Sequence, residues 1–168
     1  LSIGRILLIW INENTPTLKA INSSVSLPEM IENSPMNLMR IIHYPPLNSD
    51  VTDGAIRAAA HCDINLITVL PAASQPGLQV QTKEDEWLDV ECNPGWLVIN
   101  TGDMLQECSD GHYPSTIHRV VNPIAKYAHL SRYSMPLFIH PRDEVILSKR
   151  YSAKKYLDER LHEIGLKS

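Results

Sequence analysis

Cysteine is scarce in this 168-residue chain, with only Cys62, Cys92 and Cys108 present. Their odd number and lack of metal-motif spacing argue against a disulfide framework and for a reducing compartment. Long apolar runs are missing as well. The stretch Leu1 to Ile11 falls well short of the roughly 20 residues that a membrane-spanning helix needs. It also lacks the basic flank and small-residue cleavage site expected of a secretory leader. There is no basic run, and the net charge is -4, so neither nucleic acid nor a membrane is an expected partner. A small-molecule substrate and a cytoplasmic location are the expectations. Because the chain begins with Leu rather than Met, further residues upstream are expected.

The length suits one domain with a real core. Thr15-Pro16 reads as a helix start, with Thr15 as N-cap and Pro16 at the first helical position. Leu18, Ile21 and Val25 follow at helical spacing, and Pro28 should close or redirect that segment. From Leu38 the texture changes to short apolar or alternating runs: Leu38 to Tyr44, Ile56 to His61, Leu66 to Leu70, Leu78 to Thr82, Trp87 to Val90, Trp96 to Thr101, Thr116 to Asn122, Arg132 to His140 and Val145 to Leu147. Turn signals such as Pro45-Pro46, Asp53-Gly54 and Asn93-Pro94-Gly95 separate them. Short strands between regular turns predict a mainly β sandwich or barrel, and the count suits an eight-stranded jelly roll. Trp87, Trp96 and Phe138 are expected in the core. Ser152 then caps a last helix, whose stripe of Tyr156, Leu157, Leu161 and Ile164 should be buried, with Gly165 at C′. The expected division is a helical segment over 1–37 packing on the barrel, a jelly-roll core over 38–150 and a C-terminal helix over 151–168.

Three residues carry the chemistry. His61 and Asp63 lie two apart, just ahead of an apolar run, so on a strand they would share a face while Cys62 points away. His118 heads another such run. Two imidazoles and one carboxylate make the facial triad that holds non-haem Fe(II) and leaves positions open for a co-substrate and O2. Arg132 and Ser134 form a second same-face pair. An economical co-substrate is a 2-oxo acid that chelates the iron. If it is 2-oxoglutarate, its far carboxylate needs a fixed counter-charge once buried. The planar, permanently charged guanidinium of Arg132 suits that task; Ser134 can add a hydrogen bond, and Tyr44 is a third donor. Taken singly, each residue has a plainer reading as a strand-end polar group, a core histidine or a surface ion-pair partner. Their order and spacing together carry the signal.

Other residues have lesser roles. Asn65, two beyond Asp63, is expected on the substrate side. Arg119 should face away from the metal, and Asn100-Thr101-Gly102-Asp103 reads as a tight turn. His43, His112, His129, His140 and His162 have no partner at ligand spacing and read as structural or exposed.

The residues Tyr44-Pro45-Pro46, His61-Cys62-Asp63, Pro94-Gly95 through Gln106, Ser109-Asp110-Gly111 with Ser115, His118-Arg119-Val120 and Arg132-Tyr133-Ser134 together resemble a known family. It is the isopenicillin-N-synthase-like Fe(II)/2-oxoglutarate-dependent dioxygenases, and the segment His61 to Thr68 is closest to its bacterial branch. The resemblance spans about Leu38 to Gly165. It implies a double-stranded β-helix, that is, a jelly roll, flanked by helices. It makes His61, Asp63 and His118 the iron ligands and gives 2-oxoglutarate to Arg132 and Ser134, with Tyr44 touching the same co-substrate. The implied activity oxidises a small organic substrate, usually by hydroxylation, and releases succinate and CO2. Three features depart from the family pattern: Ile42 stands where Asn is common, Asp110 replaces an Asn in a turn, and the N-terminal region is reduced to Leu1 to Asn33. Two alternatives stay open at this point, an iron oxidase that needs no 2-oxoglutarate and an inactive metal-binding jelly roll.

Overall fold

The computed structural model describes residues 1–15, 25–47 and 55–166. Ten short strands dominate it, in the order β1 (Leu38–Met39), β2 (Ile42–Tyr44), β3 (Ala58–His61), β4 (Ile67–Pro71), β5 (Leu78–Gln81), β6 (Trp87–Asp89), β7 (Leu97–Thr101), β8 (His118–Val120), β9 (Arg132–Ser134) and β10 (Leu137–Ile139). They form two four-stranded antiparallel sheets, β1-β10-β4-β7 and β3-β8-β5-β6, and a separate ribbon, β2-β9. Side chains from all three line one cavity. The arrangement is a double-stranded β-helix, the expected fold class. The long run 132–140 is broken at Pro136, which has no N–H to offer a ladder. Val145 to Leu147 makes no strand, only a bridge between Ile146 and Ser152.

Four helices flank the strands: α1 (Ser2–Asn14), α2 (Leu27–Met30), α3 (Asp103–Cys108) and α4 (Ala153–Glu163). Alternation along β4 decides where the core lies. Ile67 and Val69, with Ile139 across the ladder, join Leu8, Leu27, Leu105 and Leu147 in a buried cluster between the sheet and the helices. Each fully buried Leu or Ile contributes roughly 1.5–3 kcal/mol, enough to seat the helices. Thr68 and Leu70, with Phe138, point the other way into the cavity. The barrel interior is thus left for a ligand. α1 packs so closely on this sheet that a methyl group at Gly4 would collide with the side chain of Ile139.

Several local expectations are corrected. Thr15 ends a helix rather than starting one: its hydroxyl donates to the Ile11 carbonyl at 2.7 Å and pairs with the Tyr113 hydroxyl. The expected helix through Leu18 and Ile21 falls outside the described residues. Pro28 opens α2, behind a capping box of Ser26 and Glu29, because proline suits the first turn where no N–H is required. Gly102 and Asp103 begin α3 instead of closing a turn. Ser152 does cap α4, accepting from the Lys155 N–H, and Gly165 follows with a φ of 73°. Yet Ile164 is exposed, and so is Trp96. Trp87 lies half-buried under the Arg119 guanidinium, 3.9 Å away.

Candidate metal centre and carboxylate clamp

His61 is the last residue of β3, and His118, at the start of β8, is its direct partner in the ladder. Antiparallel pairing therefore sets the two rings side by side, with centroids 4.3 Å apart. Asp63 is not on the strand, as alternation alone would place it, but in the loop after it. That loop is held by α3. The Asp103 N–H donates to the Asp63 carbonyl at 2.8 Å, and the Met104 N–H to the Asn65 carbonyl at 3.1 Å. Gly102 makes this fit possible, since a side chain there would run into the Asn65 carbonyl.

The loop delivers Asp63 Oδ1 to 3.6 Å from His118 Nε2 and 3.9 Å from His61 Nε2. All three donor atoms lie within 4.8 Å of one another. Hydrogen bonds orient each of them. His61 Nδ1 lies 2.8 Å from the Ala59 carbonyl, and His118 Nδ1 lies 2.9 Å from the Thr116 carbonyl and 3.0 Å from the Asn100 amide nitrogen. Since a carbonyl only accepts, a proton on each Nδ1 satisfies these carbonyls and leaves both Nε2 lone pairs facing inward. Asp63 Oδ2 accepts from the Thr68 hydroxyl at 2.6 Å and from the Asn100 amide at 3.3 Å. Its other oxygen is left for an ion. Two neutral imidazoles and a carboxylate are a fitting donor set for Fe(II).

Arg132 and Ser134 point the same way from β9, with the exposed Tyr133 between them. Tyr44 of β2 pairs with Arg132, and Ile42 with Ser134. All four of these inward side chains line the cavity that also holds His61, Asp63 and His118. Counting the solvent at its open mouth, the space among these residues is about 620 Å³. Its remaining wall is largely apolar, including Leu70, Leu78, Val80 and Val98. Arg132 is only 2% exposed. Its Nε donates to the Gln75 carbonyl at 3.0 Å, whereas Nη1 is buried without an acceptor among the described residues. Burial pulls its pKa below that of an ordinary arginine. A buried cation with a spare donor is matched by a carboxylate.

Asn65 does not reach the cavity. It is buried behind Thr68, where its amide donates to the Thr68 hydroxyl at 2.9 Å and to the Ile67 carbonyl at 3.1 Å. The chain leaves β3 before residue 65, so strand alternation does not apply there. Sequence reasoning misses the roles of Thr68 and Asn100: Asn100, expected to open a tight turn, lies inside β7. The signal for Thr68 was a hydroxyl inside an otherwise apolar strand; Asn100 had a similar one, an amide closing the apolar run Leu97 to Ile99. Cys62 is half-buried, and burial raises its pKa. Arg119 does turn away from the cavity, donating to Gln79 at 2.8 Å.

Comparison with known proteins agrees with this chemistry. Residues 35–141 match the profile of the 2OG-Fe(II) oxygenase superfamily. A 2-oxoglutarate-dependent dioxygenase of Monascus ruber is 42% identical over 97 residues, covering 56% of this chain and 30% of the relative. A flavonol synthase/flavanone 3-hydroxylase of Arabidopsis thaliana is 36% identical over 110 residues, covering 66% of this chain and 31% of the relative. Among solved structures, an oxygenase from Shewanella oneidensis aligns over 98% of this chain and 60% of its own, with 55% identity and a TM-score of 0.88. A full-length Neurospora crassa protein in complex with alpha-KG aligns over 76% of this chain and 44% of its own, with 33% identity and a TM-score of 0.68. The chain thus spans under a third of the length of these curated relatives. With the profile covering most of the barrel and the donor set lying inside it, the chain belongs to the 2OG-Fe(II) oxygenase superfamily.

Proposed function

We propose that this chain carries the oxidising centre of an Fe(II)- and 2-oxoglutarate-dependent oxygenase acting on a small organic substrate. One observation supports it above others: three metal-type donors and a buried, under-satisfied guanidinium share a single cavity. His61, Asp63 and His118 would hold the iron, the two Nε2 atoms and Asp63 Oδ1 being the donors that converge. Arg132 binds the distal carboxylate of 2-oxoglutarate, helped by Ser134 and Tyr44. Iron held there would supply, with O2 and 2-oxoglutarate, the two-electron oxidation of a substrate C–H bond to an alcohol, coupled to conversion of the acid to succinate and CO2. The protein's part is to orient the groups that meet in the cavity. Thr68 and Asn100 hold the Asp63 carboxylate in one rotamer, and the two backbone carbonyls hold the histidines in one tautomer. The apolar wall borders the centre on one side, whereas the His61 side chain is 49% exposed.

The presence of Arg132 and Ser134 inside the cavity favours this reading over an oxidase that needs no 2-oxoglutarate. Cys62, Cys92 and Cys108 are all unpaired, which supports a cytoplasmic setting. The division into a barrel over 38–150 with helical flanks is retained as part of the proposal. The test is succinate formation from 2-oxoglutarate on addition of Fe(II) and ascorbate. Wild type should produce succinate and His118→Ala should not; equal yields from the two would overturn the assignment.

A further inference from the structure

Arg57 takes no part in the clamp described above, yet its guanidinium lies against it, with Nη2 bonded while Nε and Nη1 are buried without a hydrogen-bond partner among the described residues. It precedes β3, the strand that ends in His61. Its Nη2 donates to the Pro45 carbonyl at 3.3 Å and to the Leu130 carbonyl at 3.4 Å. Pro45 directly follows Tyr44, and Leu130 lies two residues before Arg132. One guanidinium thus grips both chain segments at the same end of the β2-β9 ribbon, which is hydrogen-bonded into neither main sheet. The same group lies 5.8 Å from the centroid of the Tyr44 ring, and Arg132 lies 5.4 Å from it. Tyr44 is held by two guanidiniums, one of which lines the cavity while the other does not.

We propose that Arg57 is a positioning residue for co-substrate binding: it fixes the ribbon end so that Tyr44 and Arg132 meet the far carboxylate of a 2-oxo diacid at a set distance from His61. This rests on the function proposed above and extends it. The role needs arginine's shape. A planar fork can stack on a ring and still reach two carbonyls, whereas a lysine ammonium is a point charge on a flexible stem. Charge alone therefore does not substitute for Arg57. A cation serving only the overall fold would affect every 2-oxo acid alike. A residue that sets the clamp affects only acids with a second carboxylate.

The experiment measures binding rather than turnover. Arg57→Lys and Arg57→Met are loaded with Mn(II) in place of Fe(II) and titrated calorimetrically with 2-oxoglutarate and with 2-oxopentanoate, a monocarboxylic analogue. Both variants should bind 2-oxoglutarate roughly tenfold more weakly, equal to about 1.4 kcal/mol. Affinity for 2-oxopentanoate and for Mn(II) should stay as in wild type. Wild-type affinity for 2-oxoglutarate in Arg57→Lys overturns the inference, and so does an equal loss for both acids. If wild type itself binds no 2-oxoglutarate, the proposed function falls, and this inference with it.

Discussion

Replacing Arg132 by methionine separates a residue kept for a ligand from one kept for the fold. The guanidinium is almost wholly buried, with one nitrogen lacking an acceptor among the described residues. Holding such an ion out of water costs several kcal/mol. Against this stand one hydrogen bond to the Gln75 carbonyl and the contact with the Tyr44 ring, worth about 1 kcal/mol each. Methionine keeps much of the volume and carries no charge. The opposing terms come close to cancelling. The ligand-free variant should therefore stay within about 1 kcal/mol of wild type, or roughly 2–4 °C in Tm for a domain of this size. A buried arginine paired with a carboxylate of the protein would instead cost about 3–5 kcal/mol on truncation, because that carboxylate is left uncompensated.

The response to ligand should be the opposite. Wild type in the presence of 2-oxoglutarate at 100 times its Kd gains about 2.7 kcal/mol. Loss of a buried charge-assisted pair costs roughly 2–5 kcal/mol of affinity, so the same concentration should barely shift the variant. The assay is thermal unfolding of the Mn(II)-loaded proteins with and without 2-oxoglutarate. A ligand-free variant that melts about 10 °C lower, the drop implied by a fold-supporting arginine, would refute the reasoning. An undiminished ligand shift would do so too.

Two further expectations follow from neighbouring contacts. Thr68→Val removes the 2.6 Å hydrogen bond to Asp63 and should weaken Mn(II) or Fe(II) binding by about 10- to 100-fold, read by metal titration; an unchanged Kd would contradict the orienting role of Thr68. Burial, and to a lesser extent the charge of Asp63, raise the pKa of Asp103 above its ordinary 3.8, against the influence of the nearby Ser115 hydroxyl and the attraction of Arg160. Its protonated form therefore favours the fold: that contribution is full below 3.8 and is lost as pH rises through the higher folded value. Asp103→Asn should gain in Tm over wild type as pH is raised from below 3.8 to neutrality, and a difference that stays flat with pH would show that Asp103 is not strained by burial.

Local chemistry explains what could be read early. The spacing of Arg132 and Ser134 needs only the two-residue period of a strand, and β9 obeys it, burying both around the exposed Tyr133. The cap at Ser152 and the glycine at 165 depend on a few neighbouring residues, and both appear at α4. Asn65 failed for the converse reason. The same two-residue period was extended past the end of β3, where the chain has already turned onto α3. Trp96 misled because bulk and apolarity state a preference for burial without saying whether anything covers the site. Arg57 offered no local signal, since its partners lie at residues 44, 45 and 130.

The sequence by itself determined the kind of fold and the chemical types available to the site, because strand alternation, turn residues and donor chemistry are properties of short segments. Tertiary structure alone decided which side of the sheet became the apolar core and which became the cavity. It also decided which oxygen of Asp63 is left free and which cation braces the clamp. Those outcomes depend on ladder register and loop closure between segments far apart in the chain, and a one-residue change of register would turn every side chain of a strand to the opposite face.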